Sequence, residues 1–523
     1  MLDLTQVRGL ADVTREQARA LGDKTALVFE DRRVGYAALD RAASRVAQGL
    51  LRERVAPQER IAILAKNSDA FYEIWFGAMK ARVCLAPVNF RLAPPEIAYI
   101  LKDSRAKILF VGRDFFEIAA RAIADLPEKP VVISLDGANG DWIDYAAWRD
   151  RAEPVDPHLE HLADDDVVQL YTSGTTGNPK GVQLSNHNYV NGWLHLAARV
   201  EGFDYRVDEA VLNAMPLFHV AGTNVGVTGL ASGCTVVIVK DLVAREVLHL
   251  IARERINHAF FVPAVILMLM NAPEMAGADL SSLRTVSYGA SPIAEDLLLK
   301  ARERFGCGFL QFYGMTETVG AGTCLTPAAH DPALGKLRSC GIAWEGIEVK
   351  VVDAHGKEVA LGEVGEIVIR APIVMKGYYN NPAATAEAVK DGWMRTGDAA
   401  FKDKDGYFFV YDRVKDMIVT GGENVYPAEV ENAVFGHPDV ADVAVIGVPD
   451  DKWGEAVKAV VVLKPGARAD EAAIIAYARE RVAAYKIPKS IDFVETIPRN
   501  ASGKVLRREL RKPYWAGRER MVG

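Results

Sequence analysis

Short β-branched runs recur between stretches of helical period from the N-terminus to about residue 410: "RIAILA" (60–65), "KILFVG" (107–112), "VVIV" (236–239), "HAFFVP" (258–263) and "TVSYG" (285–289). Strands that alternate with helices pair in parallel, because the helix supplies the long crossover that parallel neighbours need. The pattern therefore predicts an α/β fold with largely parallel sheets. Near residue 411 the texture changes: "YDRVKDMIVTGGENVYPAEVENAV" is polar and glycine-bearing and leads into a helix after Pro427. Beyond it come "VADVAVIGV", "AVKAVVVL", the helix-like "DEAAIIAYARERVAAY" and a basic end from Arg499 to Lys512. The expected architecture is a large N-terminal domain of layered sheets and helices over 1–411 and a small α+β C-terminal domain over 412–523.

A chain of 523 residues exceeds one ordinary core, and with half its residues hydrophobic it can fill more than one. Its 62 basic and 69 acidic residues leave a net charge of -7, which gives no global attraction to nucleic acid or to an anionic membrane. A polyanion has to be met locally. The five cysteines, Cys84, Cys234, Cys307, Cys324 and Cys340, are scattered and odd in number. That fits reduced, buried thiols in a cytoplasmic protein, and neither a disulfide framework nor a zinc site. The first residues, "MLDLTQVRGLADVTREQARALGDK", mix both charges and predict an amphipathic helix, not a signal peptide.

Between Glu209 and Lys240 no residue is charged, a length that raises the question of a membrane span. Pro216, His219, Asn224 and four glycines interrupt the run, so a buried core segment is the better expectation. With no integral membrane segment expected, peripheral association to collect an apolar substrate stays open, as does a homodimer.

The segment "YTSGTTGNPKGV" (171–182) follows an expected strand, "DDVVQLY". Gly174 and Gly177 let backbone amides curl around an anion, Thr172, Ser173, Thr175 and Thr176 offer hydroxyls, and Lys180 offers a point charge. Pro179 and Gly181 stand where a Walker loop would need other residues, so this is not a P-loop NTPase.

That segment, "MPLFHVAG" (215–222), "YGASP" (288–292), "QFYGMTET" (311–318), "GEIVIRAPIVMKGYYNNPAAT" (365–385), "WMRTGD" (393–398), "YDRVKDMIVTGGENVYPAEVE" (411–431) and "PRNASGKVLRREL" (498–510) together resemble the adenylate-forming acyl-CoA synthetase family. The motif style is closest to its fatty-acyl and aryl-CoA ligases. The resemblance implies that a carboxylate attacks the α-phosphate of ATP, pyrophosphate leaves, and the thiol of CoA then displaces AMP from the acyl-adenylate. Mg²⁺ would assist the first half, and a small mobile C-terminal domain would rotate between the two.

Carried over residue by residue, Glu317 would hold Mg²⁺ and Thr316 would contact the α-phosphate, with Gly314 and Met315 beside them. Gln311, Phe312, Tyr313, Gly289, Ala290 and Ser291 would form the adenine slot. Asp398 and Arg413 would take the ribose, and Lys504 would stabilise charge between carboxylate and α-phosphate. Lys415 matches the hinge, and Gly421 and Gly422 would line the pantetheine channel. His219 would flank the acyl carbonyl and orient it, without general-base work, because a thiol is already partly ionised near neutrality.

The expected acyl wall is apolar, which favours a hydrophobic monoacid, fatty or aryl, from fatty acid or other lipid metabolism. Lys336 and Arg338 leave a dicarboxylate open. Ala371, Trp344-Glu345 and "YDR" depart from the family pattern without removing a proposed ligand. Two alternatives stand beside the acid-CoA ligase: an enzyme loading a separate carrier protein, and a non-catalytic nucleotide-binding paralogue.

Overall fold

The computed structural model describes residues 2–172, 179–413, 416–420, 423–450, 453–499 and 505–516. Two mixed sheets dominate the large domain, each with a parallel centre; the nine-stranded one is antiparallel at both edges and the eight-stranded one at a single edge. In the nine-stranded sheet the parallel centre runs Gly308–Tyr313, Thr285–Gly289, His258–Phe261, Ala210–Asn213, Thr235–Ile238, Thr25–Phe29. In the eight-stranded sheet Gly377–Tyr378 and Lys180–Ser185 form an antiparallel edge beside Asp166–Thr172, and parallel strands follow from Cys84–Pro87 and Arg60–Leu64 onward. A third, antiparallel sheet contains Gly365–Arg370, Trp393–Lys402 and Phe408–Arg413.

The uncharged run resolves into the strand Ala210–Asn213, the helix Val220–Ala231 and the strand Thr235–Ile238, buried almost throughout. A helix apolar on every side belongs in the interior, and from Gly222 onward this one is enclosed. Among the described residues no helix is long and apolar enough to cross a membrane. The N-terminal segment forms its amphipathic helix at Ala11–Leu21.

The small domain has its own sheet, in which Glu423–Val425, Ile418–Thr420, Gly454–Leu463 and Val440–Asp450 are antiparallel neighbours and Ser490–Phe493 joins Gly454–Leu463 in parallel. Helices Pro427–Phe435 and Glu471–Arg479 cover it, the latter started by Asp470, whose carboxylate accepts from Ala473 N. Ile418, Val430, Val445, Val457 and Ile474 form a core separate from that of the large domain, and two cores make two domains. The expected division at 411/412 lies inside the strand Phe408–Arg413, which still pairs in the third sheet.

All five cysteines are free; Cys307 is half-buried and the other four are buried. Burial pushes each thiol up to about 12.

Candidate active site

Of the described candidates, Gly289, Tyr313 and Thr172 stand at the carboxyl ends of strands in the two large sheets, where open α/β sheets place their ligands, while Lys180 opens the strand after Thr172 and Asp398 lies within the third sheet. The parallel register Gly289↔Phe312 sets the "YGASP" turn beside the "QFYGMTET" turn. A Cβ on Gly289 would stand 2.4 Å from the Phe312 carbonyl oxygen, and one on Gly314 would stand 2.5 Å from Ala321 N, so both turns require glycine. Ala290 holds φ at 67°, in the left-handed region that costs a residue with a Cβ, and such strain collects at functional turns.

Side chains alternate along a strand, and Tyr313 and Phe312 therefore part company. The Tyr313 hydroxyl donates to Asp398 Oδ2 at 2.8 Å. The Phe312 ring packs against Phe203 at 5.3 Å, Trp344 at 5.2 Å and Trp193 at 6.3 Å. Of the residues expected around adenine, Phe312 thus brings its backbone to the turn and its ring to an aromatic cluster. Asp398 stands directly opposite Arg413 in the antiparallel ladder of the third sheet. Burial and the neighbouring Asp398 carboxylate push the Tyr313 phenol well above its ordinary range, so it stays a proton donor.

Glu317 sits in the short 3-10 turn Thr316–Thr318 and is buried. Thr318 braces that turn, its hydroxyl donating to Ala321 O at 2.6 Å. Tyr378 donates its phenolic hydrogen to Glu317 Oε1 at 2.8 Å, and Met375 N donates to Glu317 O at 2.8 Å. The other face of the matter is Lys180, whose Nζ lies 4.9 Å from the centroid of the Tyr378 ring. Glu317, following a strand of the nine-stranded sheet, and Lys180, in the eight-stranded sheet, therefore meet at one tyrosine. Sequence reasoning quoted "MKGYYNNP" without assigning Tyr378, because a tyrosine in a strand carries no diagnostic spacing.

Thr172 pairs directly with Lys180, so 173–178 connects two antiparallel strands, where a Walker loop would enter a helix. Ser173, Gly174, Thr175, Thr176 and Gly177 lie outside the described residues, as do Lys415, Gly421, Gly422 and Lys504. Among the described residues no three His, Cys, Asp or Glu side chains form a metal cluster. A single buried carboxylate, Glu317, suits Mg²⁺, which keeps its waters and draws its other ligands from substrate phosphates, and does not suit a caged zinc.

On the acyl side, His219 caps the helix Val220–Ala231 with extended backbone. Asn67 fixes its approach, donating to Met215 O at 2.9 Å and accepting from Leu217 N at 2.9 Å. His219 Nε2 is buried and has no hydrogen-bond partner among the described residues. Burial first, and the Arg91 charge second, lower this imidazole to about 4, which keeps it neutral at physiological pH. Asn224 donates to Val319 O at 2.7 Å, while its Oδ1 and the indole Nε1 of Trp344 are likewise buried without partners. Trp193 packs 5.5 Å from Trp344 and donates to Thr228 Oγ1 at 2.7 Å.

Lys336 is occupied by Asp403 and Asp405, and Arg338 by Glu295. The buried Arg and Lys side chains among the described residues, Arg60, Lys80 and Lys458, pair with Asp166, with Asp40 and Asp156, and with Asp492. Neither set leaves a cation for a second substrate carboxylate.

Layered α/β sheets with a separate small domain of its own core are the architecture of an adenylating ligase. The chain belongs to the AMP-binding enzyme family: that family's profile matches residues 14–379, and its AMP-binding enzyme C-terminal domain matches residues 429–504. It is 38% identical over 519 residues to a fatty acid–[acyl-carrier-protein] ligase of Streptomyces coeruleorubidus, covering 99% of this chain and 98% of that one. It is 39% identical over 509 residues to a feruloyl-CoA synthase of an Amycolatopsis species, covering 97% and 99%. Among solved structures, an anthranilate CoA ligase in complex with anthranoyl-AMP superposes with a TM-score of 0.91 at 28% identity, covering 98% of this chain and 99% of that one.

Proposed function

We propose that this chain is an ATP-dependent, AMP-forming acid-CoA ligase that adenylates a hydrophobic monocarboxylic acid and passes the acyl group to the thiol of CoA. The observation that carries this is the convergence of Lys180, Glu317 and Asp398, drawn from three sheets and joined through Tyr378 and Tyr313. Adenylation is mostly positioning and charge neutralisation at phosphorus, which is what such groups supply. Lys180 and the hydroxyls of 172–176 hold the β- and γ-phosphates as departing pyrophosphate, Thr316 meets the α-phosphate, and Asp398 with Arg413 holds the ribose. Glu317 holds Mg²⁺, which contributes charge neutralisation when bound. Lys504 stabilises the negative charge that grows between carboxylate and α-phosphate.

His219, neutral and unpartnered, orients the acyl carbonyl and takes no proton from the thiol. For the second half the small domain, with its boundary near 411/412, turns about Lys415 and brings Gly421 and Gly422 to line the pantetheine arm. The relatives include both CoA ligases and a carrier-protein ligase, so the acceptor is the sharper question.

Carboxylate-dependent release of AMP and pyrophosphate across a panel of acids, with CoA, with a phosphopantetheinylated carrier protein, or with neither, tests the proposal. No AMP from any acid would sink the ligase. Acyl-adenylate that persists with CoA and is consumed with carrier protein would transfer the activity to the carrier class.

One observation favours a narrower substrate. Trp193, Phe203, Phe312 and Trp344 crowd the face of the strand Gly308–Tyr313 away from Asp398, Trp344 Nε1 within that cluster is orphaned, and so is Oδ1 of Asn224, on the same helix as the Thr228 that accepts from Trp193. Bulky rings shorten a pocket, and unsatisfied polar atoms reward a ligand that can pair with them. An aryl acid bearing a hydroxyl, amine or ring N–H fits this wall better than a long alkyl chain.

A further inference from the structure

We propose that Tyr378 is a positioning residue that holds the two phosphate-facing groups of the site, the Glu317 carboxylate and the Lys180 ammonium, apart and aimed. The inference rests on the nucleotide site proposed above, where Tyr378 appears only as the point at which Glu317 and Lys180 meet, and gives that tyrosine a role of its own.

The phenol is used twice. Its O–H donates to Glu317 Oε1 at 2.8 Å, and its ring face receives Lys180 Nζ at 4.9 Å. A hydrogen bond to a carboxylate oxygen fixes how that carboxylate is rotated, and partners of this kind around a metal ligand typically tune affinity by about 10–100-fold. Orientation matters most where one carboxylate is the whole protein contribution, and among the described residues no second acidic or imidazole cluster stands by to compensate. The ring, meanwhile, attracts the ammonium through its quadrupole without neutralising it. An ammonium drawn instead onto the Glu317 carboxylate would cancel both charges, and phosphate and metal would have to break that pair. A neutral aromatic group in contact with both gives the ammonium a partner other than the carboxylate.

The tyrosine is itself held firmly enough to serve as a reference point. Its residue pairs with Val182 and the preceding Gly377 with Gln183. Tyr378 N donates to Thr385 Oγ1 at 2.9 Å, and Tyr379 N donates to Gly181 O at 2.8 Å. The Tyr379 ring faces the other way, under the Arg60 guanidinium at 4.0 Å. The strand ends at Tyr378, and Tyr379 in the turn that follows takes its ring to Arg60, so the dipeptide anchors through one residue and positions through the other.

Tyr378→Phe removes the hydroxyl and keeps the ring; Tyr378→Leu removes both. Titration calorimetry of ATP without acid or CoA, run across a Mg²⁺ series, separates the two roles. For Tyr378→Phe the Mg²⁺ concentration giving half-maximal ATP affinity rises tenfold or more, while affinity in the absence of divalent cation stays at the wild-type level. Tyr378→Leu loses metal-independent affinity as well. Introducing Tyr378→Phe into a Glu317→Gln background produces no further change in the Mg²⁺ requirement, a comparison that does not depend on how stable the single variant is. An unchanged Mg²⁺ requirement in Tyr378→Phe, or an undiminished effect in the Glu317→Gln background, overturns the assignment. Wild-type protein that fails to bind ATP with Mg²⁺ present overturns the nucleotide site itself, so the two failures are distinct.

Discussion

On the proposed nucleotide side of the site the polar groups are paired within the protein: Tyr313 to Asp398, Tyr378 to Glu317, and Lys180 against an aromatic face. On the proposed acyl side the opposite holds, and among the described residues His219 Nε2, Asn224 Oδ1 and Trp344 Nε1 are enclosed without partners. Each unmade hydrogen bond of this kind costs about 1–3 kcal/mol. In the proposed reading the contrast matches what each side has to recognise. ATP, the same in every turnover, would meet a wall preorganised by the protein's own bonds, whereas the acid would complete the other wall by supplying what is missing.

The largest effect that would break this contrast comes from the nucleotide side. Lys504→Ala is expected to lower acid-dependent pyrophosphate release by about 10²–10³-fold or more, on the scale of a lost transition-state electrostatic contact. Conversion of supplied acyl-AMP to thioester should survive, and equal loss of both half-reactions would refute a role confined to adenylation. Next in size is Asp398→Ala, which removes a charge-assisted ligand worth about 1.5–3 kcal/mol and should raise the KM for ATP at least tenfold. Tyr313→Phe should act in the same direction and more weakly. An unaltered KM in both would detach Asp398 from the ribose.

A change on the acyl side should be smaller and of a different kind. Trp344→Phe removes an orphaned polar atom, so thermal unfolding should hold or rise, whereas Asn224→Leu also forfeits the bond to Val319 O and should lower it; in both, preference for hydroxyl- or amine-bearing aryl acids over their unsubstituted counterparts falls about 5–100-fold, the equivalent of one hydrogen bond. Unchanged selectivity in both variants would mean those atoms do not face the acid.

The smallest effect expected is at His219. With its imidazole lowered to about 4 from an ordinary 6.5, it does not titrate between pH 5 and 8 in the folded protein. His219→Phe should therefore leave the shape of the pH–rate profile intact in that window, and the loss of an acidic limb would restore a general base. The linkage runs with its own sign: between 6.5 and about 4 the unfolded chain binds the proton more readily, so stability falls as pH drops through that window. The variant should lose that increment of acid sensitivity.

Much of this was legible before any coordinates. Buried β-branched runs announce parallel strands by composition, and Arg60–Leu64, His258–Phe261 and Thr285–Gly289 lie where those runs stand. Lys180 beside two glycines states a phosphate-facing chemistry by residue type, whereas Glu317 and Asp398 are candidates only through the family resemblance of the motifs around them. Facing and partnership were less accessible. Three consecutive residues in "QFY" do not say which of them looks toward the nucleotide, and only the strand's register turns Phe312 away. Tyr378 acts through contacts with Glu317 and Lys180 that are long-range in sequence, so no local pattern announces it. The run "DEAAIIAYARERVAAY" reads as one helix, yet the helix stops at Arg479 and a short 3-10 turn follows at Ala484–Lys486.

The cysteines have a bearing on the fate of the intermediate. An acyl-adenylate is a mixed anhydride that any nearby thiolate can capture, and a protein thiol near its ordinary acidity would compete with the intended acceptor. Here each of the five is held at about 12 by burial, so almost none is ionised at neutral pH. The chain is thereby protected against acylating itself, and the activated acyl group waits for a thiol that arrives from outside.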